Sequence, residues 1–202
     1  MKMNRLLGVL FVASCIPLVS LQAGLLVNGD FNSGDFSGWW IWAADPDNQS
    51  GAIEPGSGYS YDGFPNAKLW SASSTWQMTV GQEFNIAENT PYSLSFVYSA
   101  RWTPNWGSAG ISIDYYNSGM SWLGYEWISL YNQQAAPNAD GQWLTYSGNF
   151  KTPAGTANAS LKIKAADWTT VYFDNVDISV VPEPASLLLL GLGGLALRRR
   201  SA

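Results

Sequence analysis

Between Gly24 and Val181 the apolar residues recur at every second position, and this period constrains the fold more than any other feature of the chain. The stretch from Pro91 to Ala100 is the clearest case. Leu94, Phe96, Tyr98 and Ala100 fall on one face of an extended chain and Ser93, Ser95, Val97 and Ser99 on the other, as in a strand with one side in a core. The same alternation groups Ile111, Ile113 and Tyr115, groups Leu144, Tyr146 and Phe150, and sets Ala159, Leu161, Ile163 and Ala165 against Ser160, Lys162 and Lys164. Shorter strands are expected at Leu25–Asn28, Ala67–Ser71, Thr75–Val80 and Trp122–Tyr131. Turn formers separate them: Asp62-Gly63, Asn117-Ser118-Gly119, Asp140-Gly141 and Pro153-Ala154-Gly155. No stretch of this body reads as a helix. Many short strands at such spacing predict an all-β fold, an antiparallel β-sandwich of the jelly-roll kind.

Composition enters through what it excludes. The chain has no histidine, and its one cysteine, Cys15, precedes the strand-rich body. A Ser-His-Asp or Cys-His relay, a histidine-ligated zinc and a disulfide within the body are therefore ruled out. Oxygen-ligated hard cations and paired carboxylates remain. Between Gly24 and Val181 the cations are Lys68, Arg101, Lys151, Lys162 and Lys164, against fourteen Asp and Glu, a net charge of −9. A body so acidic, with no basic cluster, argues against nucleic acid and anionic membrane surfaces.

Both ends read as addresses. Lys2 and Arg5, the apolar run Leu6–Leu21 and the small residue of Leu21-Gln22-Ala23 have the order of a secretory signal peptide, residues 1–23, removed by signal peptidase. An alternative takes Val12-Ala13-Ser14-Cys15 as a lipoprotein box with a lipidated Cys15. At the other end, Pro182-Glu183-Pro184 stops the last strand, because proline donates nothing to a sheet ladder. The thirteen residues Ala185–Leu197 carry no charge and run into Arg198-Arg199-Arg200. They are short of the about 20 residues that span a bilayer, and suit a transient or tilted transmembrane helix. The arginines place the folded body on the far side of the inner membrane. The other reading is a buried C-terminal core helix. The order of proline-glutamate-proline, apolar helix and arginine cluster in residues 182–202 resembles the PEP-CTERM sorting signal. That resemblance implies recognition by an exosortase, cleavage near Pro182-Glu183-Pro184, and a final place at the cell surface or in the extracellular matrix.

A second resemblance rests on the two ends of the body, residues 24–181. Leu26-Val27-Asn28-Gly29-Asp30-Phe31-Asn32-Ser33-Gly34 with Phe36-Ser37-Gly38-Trp39 is similar to the opening of galactose-binding-like jelly rolls, the carbohydrate-binding modules of family 4 and 9 type. Gln142-Trp143 through Phe150, Lys151-Thr152-Pro153-Ala154 and Val171-Tyr172-Phe173-Asp174-Asn175-Val176 resemble their last strands. The resemblance implies a structural Ca²⁺ between the opening motif and the last strand, with Asn32 and Asp174 as ligands. Asn32 stands where the family commonly has glutamate, which lowers the ligand charge, and Asp30 is placed to compensate. Near Asp174 the parity breaks: Val171 and Phe173 share one face and Val176, Ile178 and Val180 the other, so a bulge at Asp174-Asn175 would reconcile them. The alternative keeps Tyr172, Asp174, Val176, Ile178 and Val180 together on one inward face, with Asp174 metal-free and satisfied by backbone donors.

All eleven tryptophans lie in the body, more than one small core uses. Trp39 and Trp143 suit the core. Trp40, Trp42, Trp102, Trp106, Trp122 and Trp127 sit among loop or edge residues, and Trp168 tips the last hairpin. Indole faces stack on the C–H face of a pyranose, so these six are candidate polysaccharide contacts. Core filling and protein contacts in a matrix are the bland readings. Glu83, Glu88, Asp114 and Glu126 stand in no spacing that enforces a catalytic pair, so no catalytic residue is assigned. The chain is expected to bind polysaccharide or exopolysaccharide without catalysis. The alternatives are a structural matrix protein and, third, a glycoside hydrolase or lyase.

Overall fold

The computed structural model describes residues 24–47, 49–55, 60–72, 77–101, 108–130 and 142–181. The expected signal peptide with Cys15, the residues Pro182, Glu183, Pro184, Arg198, Arg199 and Arg200, and Trp102 and Trp106 lie outside them. Among the described residues no helix is long and apolar enough to cross a membrane.

Ten strands form: β1 (Trp40–Ala43), β2 (Gln49–Glu54), β3 (Asn66–Ser71), β4 (Met78–Asn85), β5 (Pro91–Arg101), β6 (Ser108–Tyr116), β7 (Trp122–Ser129), β8 (Leu144–Lys151), β9 (Asn158–Ala166) and β10 (Thr169–Val180). They build two five-stranded sheets, β1-β4-β9-β6-β7 and β2-β3-β10-β5-β8, called sheets A and B here. The pairing is antiparallel throughout. Strands β3 to β10 follow the jelly-roll order, and β1 and β2 extend the sheets beyond β4 and β3.

The alternating sets close the core between the sheets. Leu94, Phe96, Tyr98 and Ala100 of β5, Ile111, Ile113 and Tyr115 of β6 and Ala159, Leu161, Ile163 and Ala165 of β9 are all buried. Phe96 stacks on Tyr146 with ring centroids 4.8 Å apart and meets Phe173 at 5.9 Å. Truncating such a ring to alanine costs about 3–5 kcal/mol, a large share of the stability of a domain this size.

Several strand boundaries differ from the expectation. Leu25–Asn28 is not a strand. Its Val27 peptide is taken by a side chain, with Gln82 Oε1 accepting from Val27 N at 2.7 Å and Gln82 Nε2 donating to Val27 O at 2.9 Å, and Asn28 turns to φ +52°. Only single backbone bonds join this segment to β10: Leu25 N to Ile178 O and Val176 N to Gly29 O, both 2.8 Å. The strand expected at Thr75–Val80 is instead Met78–Asn85, running straight through Gly81, a residue that sequence reasoning treats as a breaker. Strand β7 ends at Ser129, and β1 and β2, too short and irregular in alternation to announce themselves, were not anticipated.

The bulge at Asp174 is present. Register shifts between Asp174 and Asp177, Asn175 takes φ +50°, and Val171, Phe173, Val176 and Ile178 all reach the core. A single inward face holding Tyr172 and Asp174 with Val176 is thereby excluded.

Candidate functional site

One register row crosses the whole of sheet A on the side away from the core: Trp40 beside Gly81, Gly81 beside Lys162, Lys162 beside Ser112, and Ser112 beside Trp127. The next row on the same face holds Trp42, Thr79, Lys164, Gly110 and Ser129. Further along lie Glu83, Ser160, Asp114 and Tyr125, and then Asn85, Asn158, Tyr116 and Trp122. Period two puts these residues on one face because their neighbours Met78, Val80, Ile111, Ile113, Leu161 and Ile163 are claimed by the core.

Apart from Tyr116 on β6, the aromatic residues stand on the edge strands, and small or polar residues form the floor between them. Trp42, Trp122, Tyr125 and Trp127 keep 43–60% of their surface exposed. Two of the indoles rest on glycines. A Cβ at Gly81 would lie 2.3 Å from Trp40 Cζ2, and one at Gly110 2.4 Å from Trp127 Cζ2, so each ring occupies the space a side chain would take. Gly81 and Gly110 belong to strands two positions apart in the sheet, which leaves a gap of about 10 Å over β9. Lys162 and Lys164 fill that gap. Trp40, Ile41, Trp42, Gln77, Thr79, Lys162 and Lys164 line a cleft of about 480 Å³ at this end, and Glu83, Phe84, Asn85, Tyr116, Met120, Asn158 and Ala159 line a smaller one of about 240 Å³ at the other.

Three polar atoms on this face, Trp40 Nε1, Ser112 Oγ and Ser160 Oγ, have no hydrogen-bond partner among the described residues. Native structures rarely leave such groups unsatisfied. Lys162 is ion-paired to Asp114. Burial opposes its charge, but that carboxylate outweighs burial and holds Lys162 above the ordinary lysine value. Lys164 lies over the Trp127 ring, its Nζ 5.5 Å from the ring centroid. Burial pushes its pKa down, Asp114 pulls part of the way back, and neighbouring Lys162 adds a smaller push down.

Sheet A thus assembles four of the six candidate tryptophans, Trp40, Trp42, Trp122 and Trp127, on one surface. Trp39 is a core residue: it is buried, its ring centroid lies 5.4 Å from that of Phe31, and its Nε1 donates to Val27 O at 3.0 Å. Trp143 sits apart, between Tyr61 at 5.7 Å and Tyr172 at 6.5 Å. Sequence reasoning missed the floor, Gly81, Gly110, Thr79, Ser112, Lys162 and Lys164. The alternation of β9 already turned both lysines outward, but without β1 there was no opposite wall to pair them with.

The acids weighed for catalysis do not converge. Glu88 accepts from the Gly155 backbone, Asp114 is held by Lys162, and Glu126 lies on the opposite face of β7 beside Tyr115, where burial raises its pKa. Glu83 remains on the cleft floor.

The candidate metal ligands divide. Asn32 folds onto Asp30, donating from its backbone N at 3.3 Å and from Nδ2 at 3.1 Å. Asp174 is buried, its Oδ1 accepts from Asn175 N at 2.7 Å, and its Oδ2 is unpartnered. Burial pushes its carboxyl up to about 7, and the charges of Asp62 and Asp30 add to the shift. Asp62 was not anticipated; it stands in the β2–β3 connection, where its Oδ1 accepts from Phe64 N at 3.0 Å. An orphaned carboxylate oxygen with two acidic neighbours fits a hard cation in charge and donor type. Among the described residues no three acidic side chains are gathered into a tight cluster.

A family model described as a carbohydrate binding domain matches residues 23–170, and the PEP-CTERM protein-sorting motif matches residues 180–200. No curated protein matches the sequence. Among solved structures the fold is similar to the enzymatically active domain of bacteriophage CBA120 tailspike protein 4, with 12% identity and a TM-score of 0.62 over 78% of this chain and 21% of that one. It is also similar to a family 61 carbohydrate-binding module in complex with β-1,4-galactotriose, at 14% identity and a TM-score of 0.51 over 78% of this chain and 99% of the other. A second module of family 16 gives 18% identity and a TM-score of 0.53 over 77% and 99%. At these identities the structures establish the fold alone. The chain spans about a fifth of the tailspike's length and nearly all of each module's.

Proposed function

The chain belongs to the carbohydrate-binding domain family of the 4/9 type and carries a PEP-CTERM sorting motif, and on that premise we propose that it is an exported, non-catalytic protein that holds a polysaccharide across the outer face of sheet A. The observation that carries this reading is the row Trp40–Gly81–Lys162–Ser112–Trp127, whose end indoles lie on Gly81 and on Gly110 of the next row, at either side of a polar floor. Flat apolar rings take up the C–H faces of pyranoses, and the floor donors and acceptors take up hydroxyls. Sorting through the exosortase would place this face outside the inner membrane, at the cell surface or in the matrix, once the C-terminal segment has been processed.

A structural Ca²⁺ belongs to the same reading. Asp174, Asp30 and Asp62 would hold it, and it would supply the positive charge that the buried Asp174 carboxylate lacks. Its role would be to fasten the opening segment to β10.

The test is titration of the full chain, in mild detergent, with a panel of soluble polysaccharides, read by tryptophan fluorescence and calorimetry. Saturable binding weakened about tenfold in Trp40→Ala and in Trp127→Ala is expected, since a central aromatic contact is worth at least about 1–2 kcal/mol. A folded protein that binds no glycan would reassign the tryptophans to protein contacts in a matrix.

A further inference from the structure

The cleft at the Trp42 end of sheet A has a charge opposite to that of the molecule around it. Of the five cations in a body of net charge −9, two, Lys162 and Lys164, line this one cleft of about 480 Å³ together with Trp40 and Trp42. Their states differ. Lys162 is neutralised by Asp114, whereas Lys164 makes no ion pair among the described residues and is held over the Trp127 ring. The charged groups that act on Lys164 are Asp114 and Lys162; the other carboxylate on the cleft face, Glu83, lies four residues along β4 from Thr79, the partner of Lys164, or about 13 Å away. A half-buried ammonium without a counter-ion is costly for a fold to keep, and its cost is relieved by a ligand that brings the anion.

We propose that the cleft selects an acidic polysaccharide, with a pyranose ring against Trp42 and Trp40 and the carboxylate on that ring paired to Lys164. This rests on the reading of sheet A as a glycan face and adds the substrate class to it. Lys162 stays with Asp114 and sets the floor, and Trp127 positions the Lys164 ammonium. The acidity of the rest of the body does not forbid a polyanion, because the screening length at physiological salt is about 8 Å and a contact pair acts well inside it. The same screening makes the preference fall as salt rises, in contrast to stacking.

The experiment compares polygalacturonate with its carboxyl-reduced, neutral counterpart on the full chain, at low and at high salt, with dextran sulfate as a charge control. Polygalacturonate is expected to bind at least about tenfold more tightly than the reduced polymer at low salt. Lys164→Gln should abolish that ratio, weakening binding of the acidic polymer far more than of the neutral one, and Lys164→Arg should keep most of it. Lys68→Gln, on sheet B and ion-paired to Glu54, should change nothing. Equal affinities for the two polymers in the unaltered protein, or a ratio surviving Lys164→Gln, would overturn the acidic-ligand proposal and leave the glycan face standing. Dextran sulfate bound as tightly as polygalacturonate and insensitive to Trp42→Ala would overturn it as simple ion exchange. A folded protein that binds none of these polymers would overturn the acidic-ligand proposal, and the glycan face falls with it only when the wider polysaccharide panel also gives no binding.

Discussion

At the scale of single residues, the glycines of sheet A are as much part of the cleft as the tryptophans. Gly81→Ala drives a Cβ into the Trp40 indole, so the ring must lift from the sheet. The change should weaken glycan binding by about tenfold while lowering stability by only about 1–3 kcal/mol, measured by calorimetric titration and thermal unfolding. Asp174 is the other telling residue. Its carboxyl ordinarily titrates at 3.8 and is pushed up to about 7 in the fold. Between those values the folded chain holds a proton that the unfolded chain has lost, so this group's contribution to stability falls as pH rises through the window and is constant above 7. In metal-free buffer, the melting temperature of the unaltered protein should therefore fall relative to Asp174→Asn by about 3 °C per pH unit from 4.5 to 7. A parallel pair of curves would mean that Asp174 is already ionised. If Asp174 holds the proposed Ca²⁺, the cation would compete with the proton for the same oxygens, so its addition should stabilise the protein at pH 8 and have little effect at pH 5.

At the scale of elements, the hairpin between β9 and β10 shows a local rule broken. Asp167 and Trp168 take φ +55° and +62°, the two left-handed positions of a type I′ turn, which asparagine and glycine ordinarily fill. Trp168 is 54% exposed there and offers the turn nothing in return. Trp168→Gly should raise stability by about 1 kcal/mol, or about 3 °C in melting temperature, checked by thermal unfolding at constant pH. The long strands β5, β6 and β9 were legible because each carries three or four core residues at period two, and the bulge of β10 was legible because its parity breaks between Phe173 and Val176. The short edge strands β1 and β2 were not. In Trp40–Ala43 both outward positions are aromatic and the inward Ile41 is 47% exposed, so polarity does not alternate and period two is hidden. The strand expected to end at Val80 continues through Gly81, and only the ring lying across that glycine from the neighbouring strand explains its place there. The tryptophans were found from composition, but their assembly needed the register of five strands.

At the scale of the molecule, the two ends of the jelly roll are fastened to one another. Gly29 touches β10 so closely that a Cβ would lie 2.0 Å from Val176 O, and Leu25 hydrogen-bonds Ile178, three residues before the described chain ends at Val181. A side chain at Gly29 should therefore be among the most damaging single changes to the fold: Gly29→Val is expected to cost at least about 2–3 kcal/mol and to lower the melting temperature by about 5–10 °C. The last strand is also an inner one, flanked by β3 and β5 and bonded along most of its length. Tension drawn through the C-terminal end while a polymer is held on sheet A would load β10 lengthwise against both neighbours. The ladder bonds would then share the force in shear, where an edge strand would be peeled off one bond at a time, and the same topology that completes the sandwich makes it a strong mechanical link.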